Sequence, residues 1–174
     1  MTPIPAHLIL DREAPIPSTM SASSRRRVAE LRAAYQSALL GRGVGDVIRT
    51  PEEAGSVLVP YFVGAEVESL YMLALNVRCR LIQDPILVSR GDDTGTDAST
   101  RNVLRIALTA GAVTFILGHN HPSGSTSPSK GDLTITHNIA RGGVTVDCLL
   151  ADHIIIVGPH VVSLRRDHPD LFAL

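Results

Sequence analysis

The sequence predicts an α/β protein, a mixed β-sheet with helices on its faces. Three observations carry this. The elements follow the order helix, two strands, helix, strand, helix, strands, so the strands have helices to cover them. Of 174 residues, 44% are apolar and 19% charged, which suffices for the core of one domain of ordinary size and is not a disordered composition. Aromatics make up only 3%, with no Trp, so that core must be aliphatic.

The elements follow from local pattern. Residues 1–22 hold four prolines and many small polar residues and read as an arm without its own core. Ser23 to Leu40 reads as a helix, capped by Ser23 or Ser24, with Val28, Leu31, Tyr35 and Leu39 at helical spacing. Gly41, Gly43 and Gly45 end it and form a linker, so the expected division is an arm-plus-helix over 1–45 and a core domain over 46–174. Thr50, Pro51 and Glu53 predict the start of the next helix: hydroxyl cap, proline in the first turn, and a capping box. Its buried stripe would be Ala54, Val57, Leu58, Tyr61 and Phe62, and Gly64 its stop. Strands are expected near Ser69–Asn76 and Arg80–Ser89, with Pro85 confining the second to an edge. After a loop over Gly91–Gly95, Ser99 or Thr100 caps a helix with Val103, Leu104 and Leu108 inward and Gly111 as its stop. Ala112–Gly118 reads as a buried strand, His119–Gly131 as a polar loop and Asp132 to about Arg141 as a helix. Val144–Leu150, His153–Val157 and Val161–Leu164 would close the sheet.

Composition also narrows function. A net charge of −1 gives no large basic field for duplex DNA, and few aromatics leave few platforms for stacking single-stranded bases. Arg25-Arg26-Arg27 reads as a solvated first helical turn rather than a phosphate patch. Cys79 and Cys148 are too few for a disulfide scaffold or a four-cysteine zinc site, and read as reduced thiols of a cytoplasmic protein. No run of apolar residues is long enough to span a bilayer, and the N-terminus has no signal-peptide pattern.

The chemistry concentrates in Gly118-His119-Asn120-His121-Pro122-Ser123-Gly124, where a buried strand ends. Two imidazoles at i and i+2 on an extended segment point to one side and can seize one metal ion. Asp132 comes eleven residues after His121, in the first turn of the next helix. The loop between holds Pro122, Gly124 and Pro128 and can bend back while staying stiff. A His, His, Asp set leaves a tetrahedral Zn²⁺ one open corner for water, whose pKa would fall towards about 7. Ser129, with two residues between it and Asp132, has two open roles: cap of the helix, or a hydroxyl aimed at a developing oxyanion.

His119-x-His121, then seven residues beginning with Pro122, then Ser129, then two residues and Asp132, resembles the JAMM metalloprotease motif of JAB/MPN domains. "ALTAGAVTFILGHN", "GHNHPSGSTSPSKGD" and "DHIIIVG…VVSL" narrow this to the RadC-like branch, over about Pro51 to Leu164. The resemblance implies an α–β–α sandwich around a curved mixed β-sheet, the JAB/MPN or cytidine-deaminase-like fold. It also implies a zinc held by His119, His121, Asp132 and a water. The wider superfamily cleaves peptide or isopeptide bonds, often releasing ubiquitin-like tails, so a protein or peptide is the expected substrate, with a homodimer as an open alternative.

A JAMM enzyme also needs a Glu for the metal-bound water. In the superfamily it precedes an apolar strand by one residue, some tens of residues before the first His. Glu68, ahead of Ser69-Leu70-Tyr71-Met72-Leu73-Ala74-Leu75, fits that description, and Glu66 is the fallback. RadC-like chains usually carry a basic helix–hairpin–helix module ahead of this domain. Here an arm and one helix stand in that space, so DNA binding is expected to be weak or absent. The leading expectation is a zinc-dependent amide hydrolase with Glu68 as proton shuttle and Ser129 at the oxyanion. The rival is a non-catalytic, metal-stabilised interaction module associated with DNA-repair or other nucleic-acid-processing proteins. His153 follows Asp152 in a family word, whereas His137, His160 and His168 are assigned no role.

Overall fold

The structure, a computed structural model, describes residues 4–5, 8, 14–39, 43–91 and 99–173, with residues 30 and 33–39 described by backbone alone. The described helices and strands are α1 (Ala22–Leu39), α2 (Pro51–Phe62), β1 (Ser69–Leu75), β2 (Ile86–Arg90), α3 (Thr100–Thr109), β3 (Thr114–Asn120), α4 (Lys130–Thr145), β4 (Leu149–Val157), β5 (His160–Ser163) and α5 (Leu164–Asp167), followed by a 3₁₀ turn (Pro169–Phe172). Among them is no helix long and apolar enough to cross a membrane. The loop expected over Gly91–Gly95 and the inward side chains expected of Tyr35 and Leu39 lie outside the described residues.

The five strands form one mixed sheet in the order β2-β1-β3-β4-β5. β1 runs antiparallel to both β2 and β3, β3 parallel to β4, and β4 antiparallel to β5. Both faces are buried, as the apolar runs of β1, β3 and β4 require. Against one face, Val103 of α3 and Ile139 of α4 pack with Met72, Phe115, Leu117 and Ile155. Against the other, Val57 and Leu58 of α2 pack with Leu73, Ile116 and Ile154. This is the expected α–β–α sandwich around a mixed sheet.

The helix starts follow the chemistry of their caps. Thr50 accepts from the Glu53 amide at 3.1 Å, and Glu53 accepts from the Thr50 amide at 3.2 Å, the capping box expected at α2. Ser99 caps α3. At α1 the capping hydroxyl belongs to Ser21, which accepts from the Ser24 amide, rather than to Ser23 or Ser24. Two stripe assignments shift. Leu108 is 49% exposed and Ala107 takes the inner place, because it lies four residues from the buried Val103. Tyr61 is 40% exposed and meets the tilted Tyr71 ring at 5.1 Å between ring centroids.

Four boundaries also differ from expectation. Arg80–Ser89 is not one strand. Arg80 and Leu81 make only isolated bridges to Val47 and Leu75, and β2 begins after Pro85, which has no N–H to join a ladder. His119 and Asn120 belong to β3 rather than to the loop, held by pairing with Leu70 on β1 and with Ile155 and Ile156 on β4. α4 starts at Lys130 and runs on to Thr145, beyond Arg141. The strand expected over Val144–Leu150 therefore does not form. Its first two residues finish α4 and its last two open β4, which continues unbroken through His153–Val157.

Candidate metal centre

β3 ends at the site. Pairing of His119 with Leu70 of β1 and Ile155 of β4 fixes the direction of its side chain at the end of the sheet. His121 follows two residues later on the same side. α4 starts nearby because Ser129 caps it: the Ser129 hydroxyl accepts from the Asp132 amide at 3.1 Å, and Asp132 Oδ2 accepts from the Ser129 amide at 2.7 Å. The capping box thus fixes the Asp132 carboxylate as well as the helix start. The capping role open to Ser129 is what its hydrogen bonds show.

The side chains converge. His119 Nε2 lies 2.9 Å from His121 Nε2. Asp132 Oδ1 lies 3.5 Å from His119 Nε2, and Oδ2 lies 3.4 Å from His121 Nε2. One ligand atom from each residue falls within 4.8 Å of the others, so the three could hold a metal ion. The cluster is shielded, with side-chain exposures of 2%, 10% and 12% for His119, His121 and Asp132.

Protons and charge show whether this set fits a cation. His121 Nδ1 donates to the Ser125 carbonyl at 2.8 Å, because a carbonyl can only accept. In the neutral ring, Nε2 of His121 then carries a lone pair. Burial alone would raise the Asp132 carboxyl, but its contacts with His119 and Ser129 outweigh burial and hold it well below the ordinary carboxylate range. A carboxylate and an imidazole lone pair therefore face the same small space, which suits a cation. Two imidazoles and one carboxylate are a donor set typical of zinc and other first-row ions rather than of magnesium or calcium.

Behind the cluster, His119 Nδ1 meets His153 Nε2 at 2.9 Å, and His153 Nδ1 meets Thr136 Oγ1 at 2.6 Å. Burial, with the His119 ring beside it, holds His153 well below the ordinary imidazole range, so it is uncharged. The sequence reading marked His153 only as part of a family word and missed Thr136 altogether. The available signal was helical spacing, since Thr136 lies one turn beyond Asp132.

Glu68 is half-buried and precedes β1 by one residue. Leu70 pairs with His119, so continuing the antiparallel register by two residues sets Glu68 across from His121, on the face that β1 shares with the histidines. Asn120, another residue the sequence reading missed, holds this stretch. Its Oδ1 accepts from the Ser69 amide at 2.9 Å and its Nδ2 donates to the Val67 carbonyl at 3.1 Å. Glu66 is exposed and lines a cavity of about 410 Å³ that Asn120, His121 and Pro122 also line. Val59, Phe62 and Ile156 supply the apolar wall of that cavity, and Ile4, Arg27 and Leu31 join its lining from the arm and α1.

A mixed sheet sandwiched by helices, with a His-x-His strand end facing an Asp on the next helix, defines a JAB-type domain. Residues 48–169 match the family described as RadC-like JAB domain, and the chain belongs to that family. Its relatives include a UPF0758 protein of Chromobacterium violaceum, 35% identical over 123 residues, or 71% of this chain and 54% of the relative. UPF0758 protein tlr1707 of Thermosynechococcus vestitus is 34% identical over 127 residues, 73% of this chain and 50% of its own length. UPF0758 protein YfjY of Escherichia coli is 35% identical over 125 residues, 72% of this chain and 78% of its own length. The chain thus spans about half the length of the first two relatives.

Proposed function

We propose that this chain is a zinc-dependent hydrolase of amide bonds, acting on a peptide or isopeptide. The observation that carries the reading is the convergence of His119, His121 and Asp132, acceptor groups gathered around one shielded point. Zinc bound there would supply Lewis acidity, lowering the pKa of a water and polarising a carbonyl. The remaining steps belong to the chain. Glu68 takes a proton from the attacking water and delivers it to the departing amine, which is too poor a leaving group to go unprotonated. The pairing of Leu70 with His119, continued by two residues, supports that role. Ser129 donates to the oxyanion, since its oxygen accepts from the Asp132 amide and that bond leaves the hydroxyl hydrogen unused.

One observation favours a second reading. Ile4 of the arm and Arg27 and Leu31 of α1 line the cavity that reaches His121, so the chain's own N-terminal part contributes to the approach. This supports an interaction module in which the metal pins the loop between β3 and α4. With a net charge of −1, DNA binding in either reading is weak and collapses as salt rises from about 50 to 200 mM.

The deciding experiment measures zinc content together with cleavage of a mixed peptide and isopeptide-linked substrate panel. Cleavage that is lost on chelation and restored by zinc supports the hydrolase. A zinc-loaded protein that cleaves nothing and binds a protein tail supports the module.

A further inference from the structure

A row of buried polar groups behind the cluster has no part in the hydrolytic scheme. It runs from the first turn of α4, across β4, to the back of His119. Thr136 Oγ1 meets the Asp132 carbonyl oxygen at 2.5 Å, His153 Nδ1 meets Thr136 Oγ1 at 2.6 Å, and His119 Nδ1 meets His153 Nε2 at 2.9 Å. Thr136 and His153 are buried to 0% and 1% exposure, so water does not substitute for any of these partners.

Counting hydrogens gives each bond a direction. The Asp132 carbonyl can only accept, so the single hydroxyl hydrogen of Thr136 is committed to it. Thr136 is then an acceptor toward His153, and the proton of His153 sits on Nδ1. The two ring nitrogens of His153 meet a hydroxyl and an imidazole, neither of them an anion, and a fully buried ring in that setting carries one proton. Its Nε2 is therefore a bare lone pair, and His119 must donate to it from Nδ1. In the neutral ring, Nε2 of His119 then carries a lone pair, aimed at Asp132 Oδ1 and His121 Nε2.

We propose that Thr136 and His153 form a positioning relay that fixes His119 as its Nδ1–H tautomer and so presents the Nε2 lone pair to the metal. The proposal rests on the metal reading of the cluster and adds to it. Metal-bound histidines are generally held through their second nitrogen, and losing such a partner weakens metal binding. Here the holding group is itself held, and the row closes on itself. It begins at the Asp132 carbonyl and ends where His119 faces the Asp132 carboxylate, so the strand ligand and the helix ligand are tied by one set of bonds.

Thr136→Val keeps the shape and removes the hydroxyl, whereas Thr136→Ser keeps the hydroxyl. By competition with a chromophoric chelator, Thr136→Val should lose about 10–100-fold in zinc affinity, and Thr136→Ser should stay close to the parent. Long-range ¹H–¹⁵N spectra of the zinc-free parent protein should show His119 protonated on Nδ1. That measurement needs no variant, so it decides the matter even if Thr136→Val fails to fold. Equal zinc affinity for a folded Thr136→Val and the parent overturns the relay, as does a His119 ring that carries a proton on Nε2 and none on Nδ1. If the parent binds no zinc yet His119 carries its proton on Nδ1, the metal reading fails and the relay stands as the device that sets the tautomer.

Discussion

Asn120 grips the backbone on both sides of Glu68, accepting from the Ser69 amide and donating to the Val67 carbonyl. The residue between the two histidines thereby fixes the segment that carries the proposed base. Asn120→Ala would leave both backbone groups without that partner, at a cost of about 1–3 kcal/mol for a buried group. The expected result is a Tm lower by several degrees. Zinc content should be unchanged, and turnover should fall because Glu68 is no longer held in place.

Glu68→Gln keeps the shape of the side chain but cannot take a proton. It should keep zinc and fold while losing about 10²–10⁴-fold in rate. Glu66→Gln, at an exposed position on the cavity rim, should do much less. The two variants are to be compared at equal zinc occupancy. A dead Glu66→Gln would move the base to Glu66, and two active variants would leave the hydrolase without one.

Purified protein should carry one zinc per chain, detected by elemental analysis and lost in His119→Ala and in His121→Ala. Each substitution removes a ligand from a set of only three. Full metal content in both variants would refute the site.

Ser129 can be divided into its two roles. Ser129→Ala should cost about 1 kcal/mol through loss of the cap. Ser129→Asn keeps a good cap without the hydroxyl, so its unfolding midpoint should match the parent. If the hydroxyl serves the oxyanion, kcat of this variant falls about 10²–10³-fold at unchanged zinc content. An unchanged kcat would leave Ser129 as a cap alone.

Asp152 sets a pH dependence of stability. Burial pushes its carboxyl above the ordinary range, even though it accepts from the Ser163 hydroxyl and the amides of His153 and Arg165. Between the unfolded value near 3.9 and the raised folded value, the folded state binds more protons than the unfolded one. This group's contribution to stability therefore falls as pH rises through that window and is level above it. Asp152→Asn should lack that slope. Denaturant titrations of the zinc-free forms at a series of pH values would measure it, and parallel curves for parent and variant would contradict it.

The ligand set was legible because it is local. His119, His121, Ser129 and Asp132 lie in one stretch whose spacing can be counted. Asn120, Thr136 and His153 were not legible as a group, because each acts on a residue that only the sheet or the next helix turn brings near. The α2 capping box was likewise readable, since cap and partner are three residues apart. The end of α4 was not. Val144, Thr145 and Val146 are all β-branched, of the kind that fill strands, and they suggested one. Tertiary packing decides otherwise: a Cβ on Gly143 would strike the Cys148 carbonyl, so glycine there lets the chain turn tightly from helix into β4. The Cys148 amide then returns to the Gly143 carbonyl at 2.9 Å. Exposure of Val144 and Val146 at 38% each shows that these side chains do not fill the core.

Parallel pairing of β3 with β4 has a consequence for how the site comes together. Two parallel neighbours need a crossover, and α4 is that crossover. Every group that would hold or orient a metal therefore comes from a single strand–helix–strand unit, from His119 to His153. Glu68 alone arrives from outside it, carried by β1. A metal ion bound to this protein would clamp that unit against local opening, and slowed amide exchange should concentrate in β3, α4 and β4. The residues that would hold the ion and the proposed base Glu68 thus come from separate stretches of chain, and the base can be lost without the ligands.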